Sequence, residues 1–237
     1  MKYFLSLFTL FVVSFSNASE WLYYKHYPWV YEHVTEDWLY LKGADDGKIY
    51  AYRQSTKEWG EFSVPAPTWE EKYEEWILEP EPYGGILVLQ LIKKAKDESV
   101  SSIDVGDLLI KNIQPFEGLT QLTALGLGDS NITDISPLRT LTNLKLLILK
   151  DNQNLQDLSP LSNLTNLQEL DFRYNDLRDL DISPILTLSN LQKIRVSSWK
   201  ISDSQINQIQ TSLPDCQIAL DEDGHDIDWD LEPYWEN

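Results

Sequence analysis

Side chains able to run a reaction are few in this chain. It has three histidines, His26, His33 and His225, and one cysteine, Cys216. None of the histidines has the spacing to a second His, a Cys or a carboxylate that a zinc site or a catalytic triad requires. There is no phosphate loop, no paired-glycine fingerprint and no cysteine nucleophile. Cys216 has no partner for an internal disulfide and is expected to be a small buried apolar residue. The stretch Asp221-Glu222-Asp223-Gly224-His225-Asp226-Ile227-Asp228 alternates Asp around a Gly as a calcium loop does, but the closing bidentate Glu is missing. It reads as a solvated acidic terminus, and Trp229, Leu231, Tyr234 and Trp235 suggest that part of it folds back. No catalytic residue, metal or cofactor is expected, so the chain is not read as an enzyme. The chemistry left is non-covalent recognition by charged and aromatic groups.

Charge narrows the partners. The formal net charge is −19. Residues 19–83 carry 14 acidic and 6 basic side chains, residues 84–220 carry 16 and 12, and the last seventeen carry 8 and none. The middle is nearly balanced and both ends are acidic. Phosphate backbones and anionic lipid would repel such a chain, which argues against nucleic acid and membrane surfaces as partners.

The elements that position these groups show as internal repeats. Leu122-x-x-Leu125-x-Leu127 aligns with Leu144-x-x-Leu147-x-Leu149, Leu167-x-x-Leu170-x-Phe172 and Leu191-x-x-Ile194-x-Val196, at spacings of 22, 23 and 24 residues. Val100-x-x-Ile103-x-Val105 is an earlier, weaker copy, and Leu213-x-x-Cys216-x-Ile218 a partial last one. Asn152 and Asn175 follow two of the motifs, where Leu108, Ser130 and Trp199 stand in the others. Each unit then closes with Asp134-Ile135-Ser136-Pro137-Leu138, Asp157-Leu158-Ser159-Pro160-Leu161 or Asp181-Ile182-Ser183-Pro184-Ile185. The Leu-x-Leu segment reads as a short parallel strand with Leu inward and the intervening residues outward. An Asn amide can satisfy backbone groups at the bend, and Pro after Ser fixes the start of the return turn.

Over residues 98–220 this pattern resembles the leucine-rich-repeat family, of the bacterial internalin-like kind. The resemblance implies an α/β fold: a short right-handed solenoid whose parallel strands line a concave face. It also implies that the exposed strand positions carry partner contacts. Solenoid ends need caps. Gly85 to Lys96 is expected to be an amphipathic N-terminal cap helix with Lys93, Lys94 and Lys96 at the negative end of its dipole, and Ser202 to Leu213 a second helix.

The outward positions can be read as columns. One runs Ser102, Ala124, Leu146, Glu169, Lys193, and the next Asp104, Gly126, Ile148, Asp171, Arg195. Beyond them lie Gly106, Gly128, Lys150, Arg173, Ser197 and then Asp107, Asp129, Asp151, Tyr174, Ser198. Glu169 is expected to pair with Lys193 across the strands and Asp171 with Arg195. Leu146 and Ile148 are apolar where solvent is expected, beside small Ala124 and Gly126, which predicts a shallow apolar patch bordered by charge. The candidate partner-binding residues are Leu146, Ile148, Lys150, Glu169, Asp171, Arg173, Tyr174, Lys193 and Arg195, with another protein as the expected partner.

The first half is aromatic. A shift of 21 residues superposes Trp29 on Tyr50, Tyr31 on Tyr52, Trp38 on Trp59 and Leu41 on Phe62. Alternation predicts a small antiparallel β meander over 19–62 with its rings on one face. Two readings stay open. Stacked rings are an economical core for so small a sheet, and this is the favoured one. The pattern also resembles choline-binding or cell-wall-binding repeats, with Glu36-Asp37-Trp38-Leu39-Tyr40-Leu41 the nearest stretch. That resemblance implies envelope-glycan binding through Trp29, Trp38, Tyr50 and Trp59. A third reading of the whole chain is a structural envelope protein.

Lys2, the apolar run Phe4 to Phe15 and Ser16-Asn17-Ala18 read as a signal peptide over 1–18. The run is too short for a comfortable membrane span, and none is expected in the mature chain. Export without disulfides points to a bacterial periplasm or the cell exterior. Residues 63–83 read as a connector containing a short helix, 84–97 as the cap helix, 98–220 as the repeats and 221–237 as the acidic tail.

Overall fold

A computed structural model of the chain describes residues 11–13, 21–23, 29–32, 37–43, 49–62 and 67–222. The chain divides into two compact units between Lys72 and Tyr73.

In the first unit, six strands follow one another in space as in sequence. They are β1 (Phe11–Val13), β2 (Trp21–Tyr23), β3 (Trp29–Glu32), β4 (Asp37–Gly43), β5 (Ile49–Arg53) and β6 (Glu58–Phe62), all antiparallel. Strand β1 falls inside the segment read as a leader; cleavage after Ala18 would remove it and leave β2 at the edge. The β5–β6 hairpin turns through Lys57, whose left-handed backbone (φ 62°) lets its N–H donate to the Arg53 carbonyl at 2.9 Å.

Opposed residues on neighbouring strands share a face. Tyr40 opposes Tyr52 and Tyr52 opposes Trp59, while Leu39 and Ala51 belong to the alternate rows. Leu39 and Ala51 are buried; Tyr40, Tyr50 and Tyr52 are half-exposed, and Trp59 is 52% exposed. Among the described side chains, burial therefore falls opposite the rings, which corrects the expectation of an aromatic core. The reason is visible in composition. The residues between the rings, such as Val30, Leu39, Leu41 and Ile49, are apolar as well. A period of two then cannot choose which face is buried. The side chains of Trp29 and Trp38 lie outside the described residues.

The helix α1 (Trp69–Trp76) begins where Thr68 and Glu71 exchange backbone-to-side-chain bonds of 2.7 and 3.2 Å. Tyr73 and Trp76 are buried, and the Trp76 ring lies 5.7 Å from that of Tyr83. Two left-handed glycines, Gly84 (φ 86°) and Gly85 (φ 93°), lead into α2 (Ile86–Asp97). A Cβ on Gly84 would come within 2.9 Å of Ile110 Cγ1, so the close approach as well as the dihedral requires glycine. Helix α2 buries Val88, Leu89, Ile92 and Ala95, a stripe of helical period, and ends with Lys94 and Lys96 in its last turn.

The repeats build a second six-stranded sheet, entirely parallel, in the order β12-β11-β10-β9-β8-β7. These are β7 (Ser102–Asp104), β8 (Ala124–Gly126), β9 (Leu146–Ile148), β10 (Glu169–Asp171), β11 (Lys193–Ser197) and β12 (Gln217–Asp221). Ile103, Leu125, Leu147, Leu170 and Ile194 stand in one register line and all are buried. The flanking columns Leu122, Leu144, Leu167, Leu191 and Leu127, Leu149, Phe172, Val196 are buried with them. Each return turn is set by its Asp. Asp134, Asp157 and Asp181 accept from the backbone N–H of Ser136, Ser159 and Ser183 at 2.8, 2.8 and 2.9 Å. These bonds hold the Asp157 and Asp181 carboxyls below the ordinary carboxylate range. The third of these turns is a single helical turn, α3 (Ser183–Leu186).

Two asparagines knit the bends together. Asn152 Nδ2 donates to the carbonyls of Leu127 and Leu149 at 2.9 and 3.1 Å, while its Oδ1 accepts from Ile132 N at 3.0 Å. Asn175 repeats the pattern one strand on, donating to Leu149 O at 2.8 Å and accepting from Asn152 N at 2.8 Å. The array closes with α4 (Asp203–Ser212), where Ser202 and Gln205 form a capping box and Gln205 Nε2 reaches the Leu177 carbonyl. Cys216 is buried, and burial pushes its thiol up to about 11. No helix among the described residues is long and apolar enough to cross a membrane.

Candidate functional site

The parallel sheet turns its leucines inward, so residues 146, 148, 169, 171, 193 and 195 alternate onto its outer face. The register places Leu146 beside Glu169 and Glu169 beside Lys193, and Ile148 beside Asp171 and Asp171 beside Arg195. Two ion pairs depart from that register. Arg195 Nη2 reaches diagonally to Glu169 at 2.9 Å, and Asp171 is taken by Arg173, two residues along its own chain, at 2.7 Å. Arg173 Nε also donates to Asp171 Oδ1 at 3.0 Å, and Arg173 N to the same oxygen at 3.1 Å. The expected Asp171–Arg195 pairing is thus replaced. A guanidinium is long enough to reach diagonal neighbours, and the forked contact within the bend satisfies Asp171 more fully than a single opposed arginine would.

These pairs are not rim contacts. Asp171 and Leu146 are 0% exposed, Arg195 2% and Arg173 4%. The exposed apolar patch expected at Leu146 is therefore closed over, and Ile148 is half-buried. Lys150, Glu169, Tyr174 and Lys193 are half-buried too. Toward β7 the face carries small residues: Ala124, Gly126 and Gly128 are buried, and the Asp104 side chain lies in the space a Cβ on Gly126 would need.

At the bend beyond the strands a more open cluster forms. Lys150 Nζ lies 3.4 Å from Asp129 and 5.5 Å from the centre of the Tyr174 ring. The Tyr174 ring in turn lies 6.2 Å from that of Trp199, which is 41% exposed. Burial raises the Asp129 carboxyl above its ordinary value, and Lys150 opposes the rise. Asp107, Asp129, Asp151 and Tyr174 all hold left-handed backbone, with φ of 59°, 50°, 51° and 63°. Asp tolerates that conformation better than most residues, which accounts for the recurrence of aspartate in this column. Nearby, Asp176 pairs with Arg178, a bond that lowers its carboxyl to about 2.

Sequence reasoning missed Trp199 as part of this cluster, seeing only a residue in the asparagine position. Its place one unit after Asn175, beside the column ending in Tyr174 and Ser198, was the available clue. In the first unit the rings of Tyr40 and Trp59 meet edge to face at 5.9 Å and those of Tyr52 and Trp59 at 5.5 Å. Tyr50 lies on the same face, opposing Glu61. Among the described residues, no group of three or more His, Cys, Asp or Glu is placed to hold a metal ion.

No protein-family model and no curated protein matches the chain. Solved structures are similar to it. A leucine-rich-repeat protein of Leptospira interrogans shares 31% identity over 46% of this chain and 28% of its own, with a TM-score of 0.42. An internalin (inlF) of Listeria monocytogenes shares 23% identity over 66% of this chain and 58% of its own, with a TM-score of 0.36. An internalin C2 of the same organism shares 22% over 69% of this chain and 93% of its own, with a TM-score of 0.32. The chain thus spans less than two thirds of the length of the first two.

Proposed function

We propose that residues 98–220, a leucine-rich-repeat array resembling that of bacterial internalins, bind another protein through the concave side of the parallel sheet and its adjoining bend. The observation that carries this reading is the Lys150–Tyr174–Trp199 cluster. It sets a cation and two partly exposed rings side by side on a scaffold fixed by the asparagine ladder. Tyr and Trp anchors on a rigid support are the usual source of interface energy. Leu146, Asp171, Arg173 and Arg195 lie beneath in this reading and support the cluster, while Ile148, Lys150, Glu169, Tyr174 and Lys193 meet the partner. The function is recognition, without catalysis.

Affinity capture from an envelope extract tests it, with wild type beside Tyr174→Ala and Trp199→Ala. A protein retained by wild type and lost by both variants is expected; equal retention would move the function off this surface. Export belongs to the same proposal and rests on the leader-like residues 1–18. Protein recovered from periplasm or medium should begin at Ser19, and an N-terminus at Met1 on the exported protein would refute cleavage.

A second reading has its own support. The Tyr40–Tyr52–Trp59 row lies on the face away from buried Leu39 and Ala51, so at least Trp59 is available to stack on a sugar ring. Binding to cell-wall glycan that is lost in Trp59→Ala and kept in Tyr174→Ala would favour it over the array.

A further inference from the structure

The helices that flank the array differ in the face they turn to water. A solenoid cap closes the core with its inner face and needs a polar outer face. Helix α4 meets that requirement: its exposed residues Ser204, Asn207, Gln208, Thr211 and Ser212 are all polar. Helix α2 does not. Outside its buried stripe, Leu87 is 76% exposed, Leu91 42% and Ile86 40%. Leu78, in the chain leading to the helix, is 80% exposed. Leu87 and Leu91 stand one helical turn apart and so form one row. An apolar row on the side of a cap that should face water marks a surface another molecule covers.

The charges around the row identify that molecule. Ahead of α2, Glu74, Glu75, Glu79 and Glu81 are exposed, and no Lys or Arg occurs from residue 73 to residue 92. Glu75 and Glu79 gather near Tyr83, whose hydroxyl pKa is raised first by burial and then by these two carboxylates. Lys111, whose N–H donates to the Pro82 carbonyl at 2.9 Å, offsets one of the four. Where α2 ends, Lys93, Lys94 and Lys96 outnumber Asp97 and Glu98. Lys93 pairs with Asp97 at 2.6 Å and Lys94 with Glu98 at 3.9 Å, but all four side chains stay between 40% and 64% exposed. Surface pairs of this kind hold little energy and exchange partners readily. The row therefore runs from an acidic end to a weakly basic one. Such a surface complements itself when turned end for end, which is the operation of a two-fold axis.

We propose that two copies of this chain associate through the outer faces of their α2 helices, packed antiparallel about a two-fold axis. Centring the pairing at the level of Leu89 sets Leu87 opposite the partner's Leu91, and Leu91 opposite the partner's Leu87. Lys94 then falls opposite the partner's Gly84, at the end where the partner's Glu79 and Glu81 stand. Each contact occurs twice by symmetry. Leucines from one helix pair bury less than the roughly 800 Å² per partner of a standard interface, so the dimer is weak and depends on concentration. The Lys150–Tyr174–Trp199 cluster lies outside this surface, and the protein-binding reading does not enter the proposal.

Sedimentation equilibrium of the full chain between about 1 μM and 1 mM tests it. The mass is expected to rise from that of one chain toward that of two. Leu87→Arg should weaken association by about tenfold or more, while Gln208→Arg, on the polar cap, should leave it unchanged. Charge supplies a second measurement that does not disturb the apolar row. Lys94→Glu alone, and Glu79→Lys with Glu81→Lys, should each weaken the dimer several-fold, and the three changes in one chain should restore it. All the altered side chains are exposed, so melting temperatures should stay close to wild type. A single-chain mass at every concentration, a dimer indifferent to Leu87→Arg, or three charge changes that fail to restore association would each overturn the proposal. Loss of a captured protein in Leu87→Arg, from a chain that stays monomeric, would overturn it in favour of a different partner on this face.

Discussion

In the array, Leu125, Leu147, Leu170 and Ile194 occupy one register line and are all fully buried. In the meander, the register line Tyr40, Tyr52, Trp59 stays partly exposed while burial falls on Leu39 and Ala51 of the alternate rows. Both are sheets built from period-two segments. The array shows a further device. Its polar side chains bond backbone in the neighbouring repeat, as Asn152 does with Leu127 O and Ile132 N. At the two bends that carry them, those bonds help fix which way the strand faces, because a reversed strand would break the bonds the amide makes to buried backbone groups. In the meander, the apolar row with Leu39 and Ala51 is the buried one among the described side chains, so there the orientation follows which apolar row is covered.

The largest effect should come from the buried pair. Asp171→Ala leaves Arg173 charged and enclosed, and should cost the array about 3–5 kcal/mol in denaturant unfolding. A loss near that of a surface pair would mean the guanidinium is solvated, and the face open. Next comes Asn152→Ala, expected to cost about 3 kcal/mol because it orphans several buried backbone groups. Ser130→Ala, at the equivalent position one strand earlier, replaces only one bond, to Gly128 O at 3.2 Å, and should cost under about 1 kcal/mol. Equal costs would show that the ladder does not orient the strands. In the meander, Leu39→Ala should cost about 2–4 kcal/mol and Trp59→Ala under about 1 kcal/mol, the opposite of what an aromatic core would give. A reversed order would restore the rings as the core and break the contrast.

Where the sequence was legible follows the same division. The repeat spacing located the inward leucines and the Asp-x-Ser-Pro turns, because each recurs several times and a coincidence in one unit is corrected by the others. The two helices were readable as well. They run Ile86–Asp97 and Asp203–Ser212, within a residue or two of the expected spans Gly85 to Lys96 and Ser202 to Leu213. The outer face was less legible. Columns gave the neighbours of Asp171 and Arg195 correctly, but an arginine has enough length to choose among neighbours, and register does not specify that choice. Burial of Leu146 could not be read either, since a column says which side a residue faces and nothing of what lies over it. Trp199 was missed because it breaks the repeat, and a pattern is blind at the positions that depart from it.

The smallest predicted effect separates the buried charges of the array from those at its rim. Asp176 is held at about 2, chiefly by its hydrogen bond from Arg178, and both side chains are substantially exposed. A carboxyl whose folded pKa is depressed adds stability above its unfolded value of about 4, and that stability is lost as pH falls toward 2. Because solvent screens the pair, Asp176→Asn should change stability at neutral pH by less than about 1 kcal/mol. It should correspondingly flatten the fall in melting temperature between about pH 4 and 2. Salt should mimic the variant at this site, since an exposed pair is screened by added ions and the enclosed Asp171–Arg173 pair is not. Melting curves at low and high salt, for wild type and for Asp176→Asn, check both statements. A salt-insensitive Asp176 contribution would place this pair with the enclosed Asp171–Arg173 pair rather than at the rim.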